Sequence, residues 1–405
     1  MSGYPRNLSY FVRKLNNYSR NTFKLQTLNQ NSAKSSQIIT VDLPSNALVD
    51  LNTLTWYFEG STSTATNFAT FPRGIESLIE RVEIEINGQL VSGGCAGYNH
   101  LWNIISDTSL GDDVTNRRKI LQNATDVINP SANVTSVPFA ITNWLGFLGS
   151  VKPEVLDTNL LGNVRIRITL TNPNVLVSSA TAATGADFTL SNMYFSVDTI
   201  SIDDGNYYQM HEQFLSKGGV YEIPFNQFFS FSSSAVADSA LRFSLSTQSL
   251  NMVWATFVNG STTTPQLLDT STNTSTYFKR TGNGLTGYQF NINNVPYPNY
   301  RPSNTMAYQL LQNAYGLSQD TLGGCYKGLD TLTKWNTKFW VACQTFSHNA
   351  GEDERIESGV DTRGNVAQCV FDYTGMTDTN QTGIVFAQTS SILRVASGRQ
   401  IEIVM

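Results

Sequence analysis

A strand, a tight turn and a helix occur in one register in the first half of this chain, and the same series returns about 200 residues later. The run Val82, Ile84, Ile86 alternates with Glu83, Glu85, Asn87 and ends at Asn87-Gly88, the pair best able to take the positive φ angles of a two-residue hairpin. Adding 206 to Val82, Ile84, Ile86 and Asn87 gives Tyr288, Phe290, Ile292 and Asn293, and adding it to Ile104-Ile105 gives Leu310-Leu311. Gly162-Asn163-Val164 matches Gly364-Asn365-Val366 at an offset of 202, and Trp56 matches Trp254 at 198. Loop insertions and deletions produce such drifts. Single matches arise by chance, so the weight rests on the ordered series, which predicts two similar domains in tandem.

Both copies are built from strands. Ile39, Val41, Leu43 alternate with polar neighbours, as do Leu54, Trp56, Phe58 and Val164, Ile166, Ile168, Leu170; Leu241, Phe243, Leu245 and Ile401, Ile403, Met405 repeat the pattern in the second half. A period of two marks strands with one face buried. Helices are few. The spacing predicts one over about 98–106, one capped by Ser303 and stopped by Gly316 with Met306, Leu310 and Leu311 on one face, and one over about 114–127. About eight strands per half, with a helix inserted after the same hairpin, suit an all-β fold of two tandem eight-stranded jelly rolls, each two sheets packed face to face. An up-and-down barrel does not account for the shared helix.

Composition sets the boundaries. Charged residues make up 14% of the 405 and hydrophobic ones 40%, against about 25% charged in an ordinary soluble domain. Residues 1–35 stand apart: Arg6, Arg13, Lys14, Arg20, Lys24 and Lys34 occur there without one acidic residue, so this arm carries +6 while the whole chain carries -5. Leu8, Phe11, Val12, Leu15 and Tyr18 fall at helical spacing within it, which predicts a short basic amphipathic helix. Its charges face either solvent beneath the protein's own underside or a membrane, nucleic acid or another subunit. The predicted layout is an arm at 1–35, a first jelly roll at 36–205, a linker at 206–218 with a hinge near Asp203-Asp204-Gly205, and a second jelly roll at 219–405. The acidic balance argues against nucleic acid as the partner of the whole chain. No run approaches the eighteen or so apolar residues that span a bilayer, and the first residues lack the apolar core of a signal peptide, so the expectation is a soluble protein made inside a cell.

Cys95, Cys325, Cys343 and Cys369 lie far apart without a C-x-x-C, so neither a disulfide framework nor a zinc site is signalled. Gly282-Asn283-Gly284-Leu285-Thr286-Gly287 spells G-x-G-x-x-G but opens a predicted strand, not the helix whose N-terminus would hold phosphates. His100, His211 and His348 are scattered, and Glu83 and Glu85 share a strand face by alternation alone. Asp203-Asp204-Gly205 and the acidic stretch 352–357 lack calcium-loop spacing. No catalytic, cofactor or metal residue is predicted.

The chain resembles the double jelly-roll major capsid proteins, in particular the shorter ones of polinton-like viruses, virophages and related tailless icosahedral dsDNA viruses. The likeness runs from about Gln37 to Met405. It rests on Phe71-Pro72-Arg73-Gly74 through the hairpin at Asn87-Gly88 and the helix at Trp102, on Leu161-Gly162-Asn163-Val164-Arg165-Ile166-Arg167-Ile168, on Val295-Pro296-Tyr297-Pro298, on Ser358-Gly359-Val360-Asp361-Thr362-Arg363-Gly364, and on Leu393-Arg394-Val395 to Gly398-Arg399-Gln400-Ile401. The resemblance implies a non-enzymatic capsid protein of the virion: a homotrimer whose six jelly rolls form a pseudo-hexameric capsomer, meeting neighbouring capsomers, penton and minor capsid proteins. It also implies an inward arm, with Arg6, Phe11, Arg13, Lys14, Leu15, Tyr18, Arg20 and Lys24 facing an internal membrane, a minor capsid protein or packaged DNA. The compact Ser/Thr/Gly-rich loops at about 173–187 and 259–287 would face outward or toward other capsomers, without the towers of longer relatives. The rival class is a tandem jelly-roll carbohydrate-binding protein or enzyme, whose aromatic residues would stack on sugars. A minor capsid or vertex protein fits the duplication and length less well.

Overall fold

The computed structural model describes residues 18–109, 131–178, 183–202, 205–259, 268–269, 274–316, 329–347, 359–364, 369–378 and 381–405. In the first half, one sheet has the order β1 (Tyr18–Gln26), β12 (Asp187–Ile202), β4 (Leu48–Ser63), β8 (Val137–Ile141), with β2 (Ala33–Lys34) along β12 and β9 (Val155–Asp157) along β4. A second sheet has the order β3 (Ile38–Asp42), β10 (Val164–Leu170), β6 (Ile79–Ile86), β7 (Gln89–Ser92), and β5 (Ala69–Thr70) pairs with β11 (Val177–Ser178).

The second half repeats this order. One sheet runs β13 (Tyr221–Ala235), β23 (Gln381–Ala396), β15 (Leu250–Asn259), β18 (Arg280–Thr281), with β21 (Ala342–Thr345) along β15 and β24 (Gln400–Val404) along β23. The other runs β14 (Ser239–Phe243), β22 (Cys369–Thr374), β19 (Gly287–Ile292), β20 (Val295–Tyr297), and β16 (Leu268–Asp269) pairs with β17 (Thr274–Ser275). Apart from the hairpins β6–β7 and β19–β20 and a few short flanking strands, the chain crosses from one sheet to the other between successive strands, which makes each half a jelly roll. Among the described residues there are six α-helices, besides short 3-10 turns: α1 (Tyr98–Ser109), α2 (Phe147–Ser150), α3 (Thr158–Leu161), α4 (Gly205–Ser216), α5 (Asn304–Ala314) and α6 (Leu332–Lys338).

The alternation read in the sequence is the alternation seen. Val164, Ile166, Ile168 and Leu170 of β10 are buried while Arg165 and Arg167 point out, where Arg165 Nε meets Asp42 Oδ1 at 2.8 Å and Arg167 Nη2 meets Glu85 Oε2 at 2.8 Å. The Glu85 carboxylate is thus a member of a cross-strand charge pair, and that of Glu83 lies 3.6 Å from Arg81 on its own strand. The two hairpins of the repeat also agree: Asn87 and Gly88 have φ of 51° and 81°, and Asn293 and Asn294 have φ of 54° and 66°. Gly282 explains itself by close approach, since a Cβ there would lie 2.3 Å from the Trp340 ring. One hydrophobic core runs through both halves.

The structure adds to or changes the sequence reading at four places. The first sheet begins inside the stretch read as a free arm, because β1 pairs along its full length with β12, Tyr18 opposite Ile202 and Gln26 opposite Tyr194. Tyr18 therefore opens a strand instead of ending a helix; the rest of the predicted helix lies outside the described residues, as does the one at 114–127. The predicted linker is helix α4 for most of its length. On α5 the buried face is Ala307, Leu311 and Ala314, while Met306 is 42% exposed. Trp56 and Trp254 both sit opposite the long strand beside them, β12 or β23, facing Phe195 and Phe386, but on opposite sides of their sheets. Trp56 belongs to the buried alternation of β4. Trp254 donates to Tyr315 Oη at 2.9 Å on the other side from Phe257, whose ring meets Tyr373 of the facing sheet. A slip of one residue reverses a strand's faces.

Candidate assembly surfaces

The two jelly rolls meet along a seam built from unlike faces. The first roll contributes α1, the end of β7 and the turn around α2. Helix α1 forms because Leu101, Trp102 and Ile104 fall on one side of it and are buried; its entry is held by the Glu80 carboxylate, which accepts from Gly97 N at 2.9 Å. Burial raises the Glu80 pKa above the usual carboxylate value, against these hydrogen bonds. The second roll contributes the start of β13, residues 277–280 and the far end of α5. Lys152 N donates to Pro224 O at 2.9 Å, Asn226 N donates to Ser150 Oγ at 2.8 Å, and Gln227 Nε2 donates to Val91 O at 2.9 Å. The first roll thereby closes the open edge of β13. The Phe147 and Phe225 rings meet edge to face at 4.9 Å between centroids.

At the centre of the seam Asp107 of α1 accepts from Arg280 Nη2 at 2.8 Å through one oxygen and from Arg73 through the other. Arg280 is 1% exposed and Asp107 4%. His100, two helical turns before Asp107 on the same face of α1, lies 5.0 Å from the Tyr277 ring and 5.3 Å from that of Phe278. Its pKa is pushed down to about 3 by burial first and by Arg280 second, so it is neutral at physiological pH. Gln312 Nε2 donates to Thr108 O at 3.2 Å, which ties α5 to the end of α1.

Each face used in this seam has an unused counterpart. Strand β1 holds the place in the first roll that β13 holds in the second, yet it pairs with β12 only, and residues 19–24 are exposed. Phe23 at 44%, Leu28 at 55% and Ile38 at 47% exposure line that side. Helix α5 holds the place of α1, yet only Ala307, Leu311 and Ala314 of it are buried. Near it Val295, Tyr300, Met306 and Leu332 are exposed, and Tyr308, Leu329 and Trp335 line a groove between α5 and α6.

The residues predicted for an inner face divide. Tyr18, Arg20 and Lys24 lie on β1; Arg6, Phe11, Arg13, Lys14 and Leu15 lie outside the described residues. Arg20 binds its own sheet, with Nε 2.6 Å from Asp198 Oδ2 and Nη2 3.0 Å from Asp50 Oδ2; the Thr22 hydroxyl first and Arg20 second lower the Asp198 pKa. Lys24 Nζ sits 4.1 Å above the Tyr194 ring. The seam residues Asp107, Arg280 and Gln227 carry no sequence signal, because their partners across the seam are more than a hundred residues away.

Other chemistry is sparse. Cys95, Cys343 and Cys369 are buried free thiols, and burial raises Cys95 to about 12 and Cys369 to about 11. Among the described residues no group of three His, Cys, Asp or Glu is placed to hold a metal, and no helix is long and apolar enough to cross a membrane. All six tryptophans, Trp56, Trp102, Trp144, Trp254, Trp335 and Trp340, are buried, which removes them as platforms for sugar stacking.

Two tandem jelly rolls with like order and a shared inserted helix define the double jelly-roll class. No family model matches the chain, and no curated protein sequence matches it. Among solved structures it is similar to PBCV-1 VP54 as fitted into a reconstruction of the virophage Sputnik, with a TM-score of 0.67 and 16% identity over 97% of this chain and 98% of that one. It is similar to the Faustovirus major capsid protein, with a TM-score of 0.59 and 9% identity over 94% of this chain and 90% of that one. The Sputnik virophage structure at 3.5 Å gives 0.54 and 10% over 96% and 88%. These are viral double jelly-roll proteins, and the fold of this chain is theirs.

Proposed function

We propose that this chain is a major capsid protein, the repeated tile of an icosahedral virus shell, and that it works by assembly. The observation that carries the reading is the mismatch between used and unused faces. One face of the first roll is matched to one face of the second within the chain. The same kinds of face stand open on the opposite rolls, apolar and of opposite role. A second copy meets the first as the first roll meets the second, and head-to-tail contact of this kind closes into a ring when the rotation permits. Three copies of two rolls give a near-hexagonal outline suited to tiling a shell. Burial of Phe23, Leu28 and Ile38 against Val295, Met306 and Leu332 supplies the apolar centre that a stable interface needs.

Light scattering on the purified chain tests this. A monodisperse species of about three times 44.7 kDa, with a six-sided outline in negative stain, is the expected result. A monomer at every concentration rejects the reading.

A further inference from the structure

The chain enters each roll through a similar stretch. Helix α4 precedes β13, and residues 1–17 precede β1. Tyr207, Phe214, Leu215 and Tyr221 are spaced as Tyr4, Phe11, Val12 and Tyr18 are, each pair 203 residues apart. His211 falls where Leu8 does. In α4 these positions make the attachment. The Tyr207 ring lies 4.3 Å from His211, the His211 ring 5.2 Å from Tyr221, and Phe214 4.7 Å from Tyr221. Tyr207 Oη donates to Asp157 Oδ2 of the first roll at 3.2 Å, so the helix straddles the seam.

Hydrogen bonds identify the counterpart of Asp157 in the second roll. Thr158 N donates to Ala47 O at 2.9 Å and its Oγ1 accepts from Ala47 N at 3.0 Å and donates to Pro44 O at 2.7 Å. Thr362 N donates to Thr247 O at 2.9 Å and its Oγ1 accepts from Thr247 N at 3.1 Å and donates to Leu245 O at 2.7 Å. The preceding residues behave alike too: Asp157 Oδ1 accepts from Asn159 N at 2.9 Å, and Asp361 Oδ1 accepts from Arg363 N at 3.0 Å. They differ at the other oxygen. Asp157 Oδ2 receives Tyr207, whereas Asp361 Oδ2 receives the Arg363 guanidinium at 2.6 Å, with both side chains half exposed. Among the described residues no helix of the same chain covers Asp361.

We propose that the N-terminal segment of a second copy docks beside Asp361 as α4 docks beside Asp157, with Tyr4 Oη donating to the Asp361 carboxylate. The proposal deepens the assembly reading and rests on it. The span fits, since 14 residues separate Tyr4 from Tyr18 and 14 separate Tyr207 from Tyr221. Charge fits as well: the segment brings Arg6, Arg13 and Lys14 and no acid to a carboxylate whose partner in the single chain, Arg363, is half exposed and shared with solvent. The basic segment is then a clamp between copies, in place of a tether to membrane or nucleic acid.

The test is a full-length chain carrying Tyr4→Cys and Asp361→Cys, treated in its assembled form with a bismaleimide whose spacer matches a tyrosine side chain. Covalent dimers and trimers on a denaturing gel, absent from either single variant, are expected. A chain with Tyr207→Cys and Asp157→Cys should link within itself and shows that the reagent reads this geometry. No link, or a link within one chain only, in a sample that scatters as an assembled species overturns the docking and leaves the assembly reading intact. A monomer by scattering rejects the assembly reading itself. In the unmodified protein, trypsin should spare Arg13 and Lys14 in the assembled species; cleavage there without loss of assembly also overturns the docking.

Discussion

His100 shows how a residue with no chemical task still sets a property of the fold. The sequence marks it as an ordinary histidine, and nothing in its neighbourhood along the chain warns that α1 is enclosed by a second domain. In the structure its ring is buried against Tyr277 and Phe278 with Arg280 close by, and its pKa falls from 6.5 to about 3. The folded state binds a proton only below about pH 3, whereas the unfolded chain binds one below about 6.5. Stability from this group is therefore fully present above pH 6.5 and declines as the pH falls through the window between the two values. From pH 7 to pH 5 the loss is about 2 kcal/mol, taking 1.36 kcal/mol per unit. Urea titrations at these two pH values should show that loss in the wild type and little of it in His100→Phe. An equal pH response in both proteins would mean that the imidazole is not shielded.

Among the elements, α1 and α5 had the same sequence signature and came out differently. Both follow a hairpin and both carry apolar residues at helical spacing, which is what fixed their existence and place. Their surroundings were not legible, because burial of α1 depends on residues of the other roll, such as Arg280, 173 positions from Asp107. The same blindness places Met306 on the buried face and leaves unread that Trp254, matched to Trp56 by offset, lies on the other side of its sheet: periodicity reveals that a face is apolar, and one apolar face can serve the sandwich while another serves the seam. Legibility was best where the signal is local, at the alternation of β10 and the turn at Asn87-Gly88. The strand β1 was missed because its alternation is weak and its basic residues resemble a tail, although Arg20 and Lys24 bind the sheet beneath them. The seam gives α1 its own test. Asp107→Ala leaves Arg280 as an unpaired buried cation and should cost about 3–5 kcal/mol, while removing the exposed partner in Arg363→Ala should leave the midpoint nearly unchanged. Denaturant midpoints measure both, and equal small effects would show that water reaches the seam.

At the scale of the whole molecule, the two open faces must be different in kind if copies associate head to tail, and this separates the proposed assembly from a two-fold dimer. An isologous contact uses the same patch on both partners, so one blocking substitution disables both sides. A head-to-tail contact has a donor face and an acceptor face that can be blocked one at a time. Phe23→Asp with Ile38→Asp should disable the first-roll face, and Met306→Asp with Leu332→Asp the second-roll face. These residues are exposed in the single chain, so each variant should fold with the unfolding midpoint of the monomer nearly unchanged, within about 0.5 kcal/mol. Alone, each remains monomeric. Mixed, they retain one intact face of each kind and should form a one-to-one dimer that grows no further, with a scattering mass of about twice 44.7 kDa. A ring needs every copy to use both faces, so the mixed pair isolates the single contact from the closure that multiplies it. If the mixture stays monomeric at concentrations where the wild type assembles, the open faces are not partners; if one variant alone forms dimers, the contact is isologous and the ring must be abandoned.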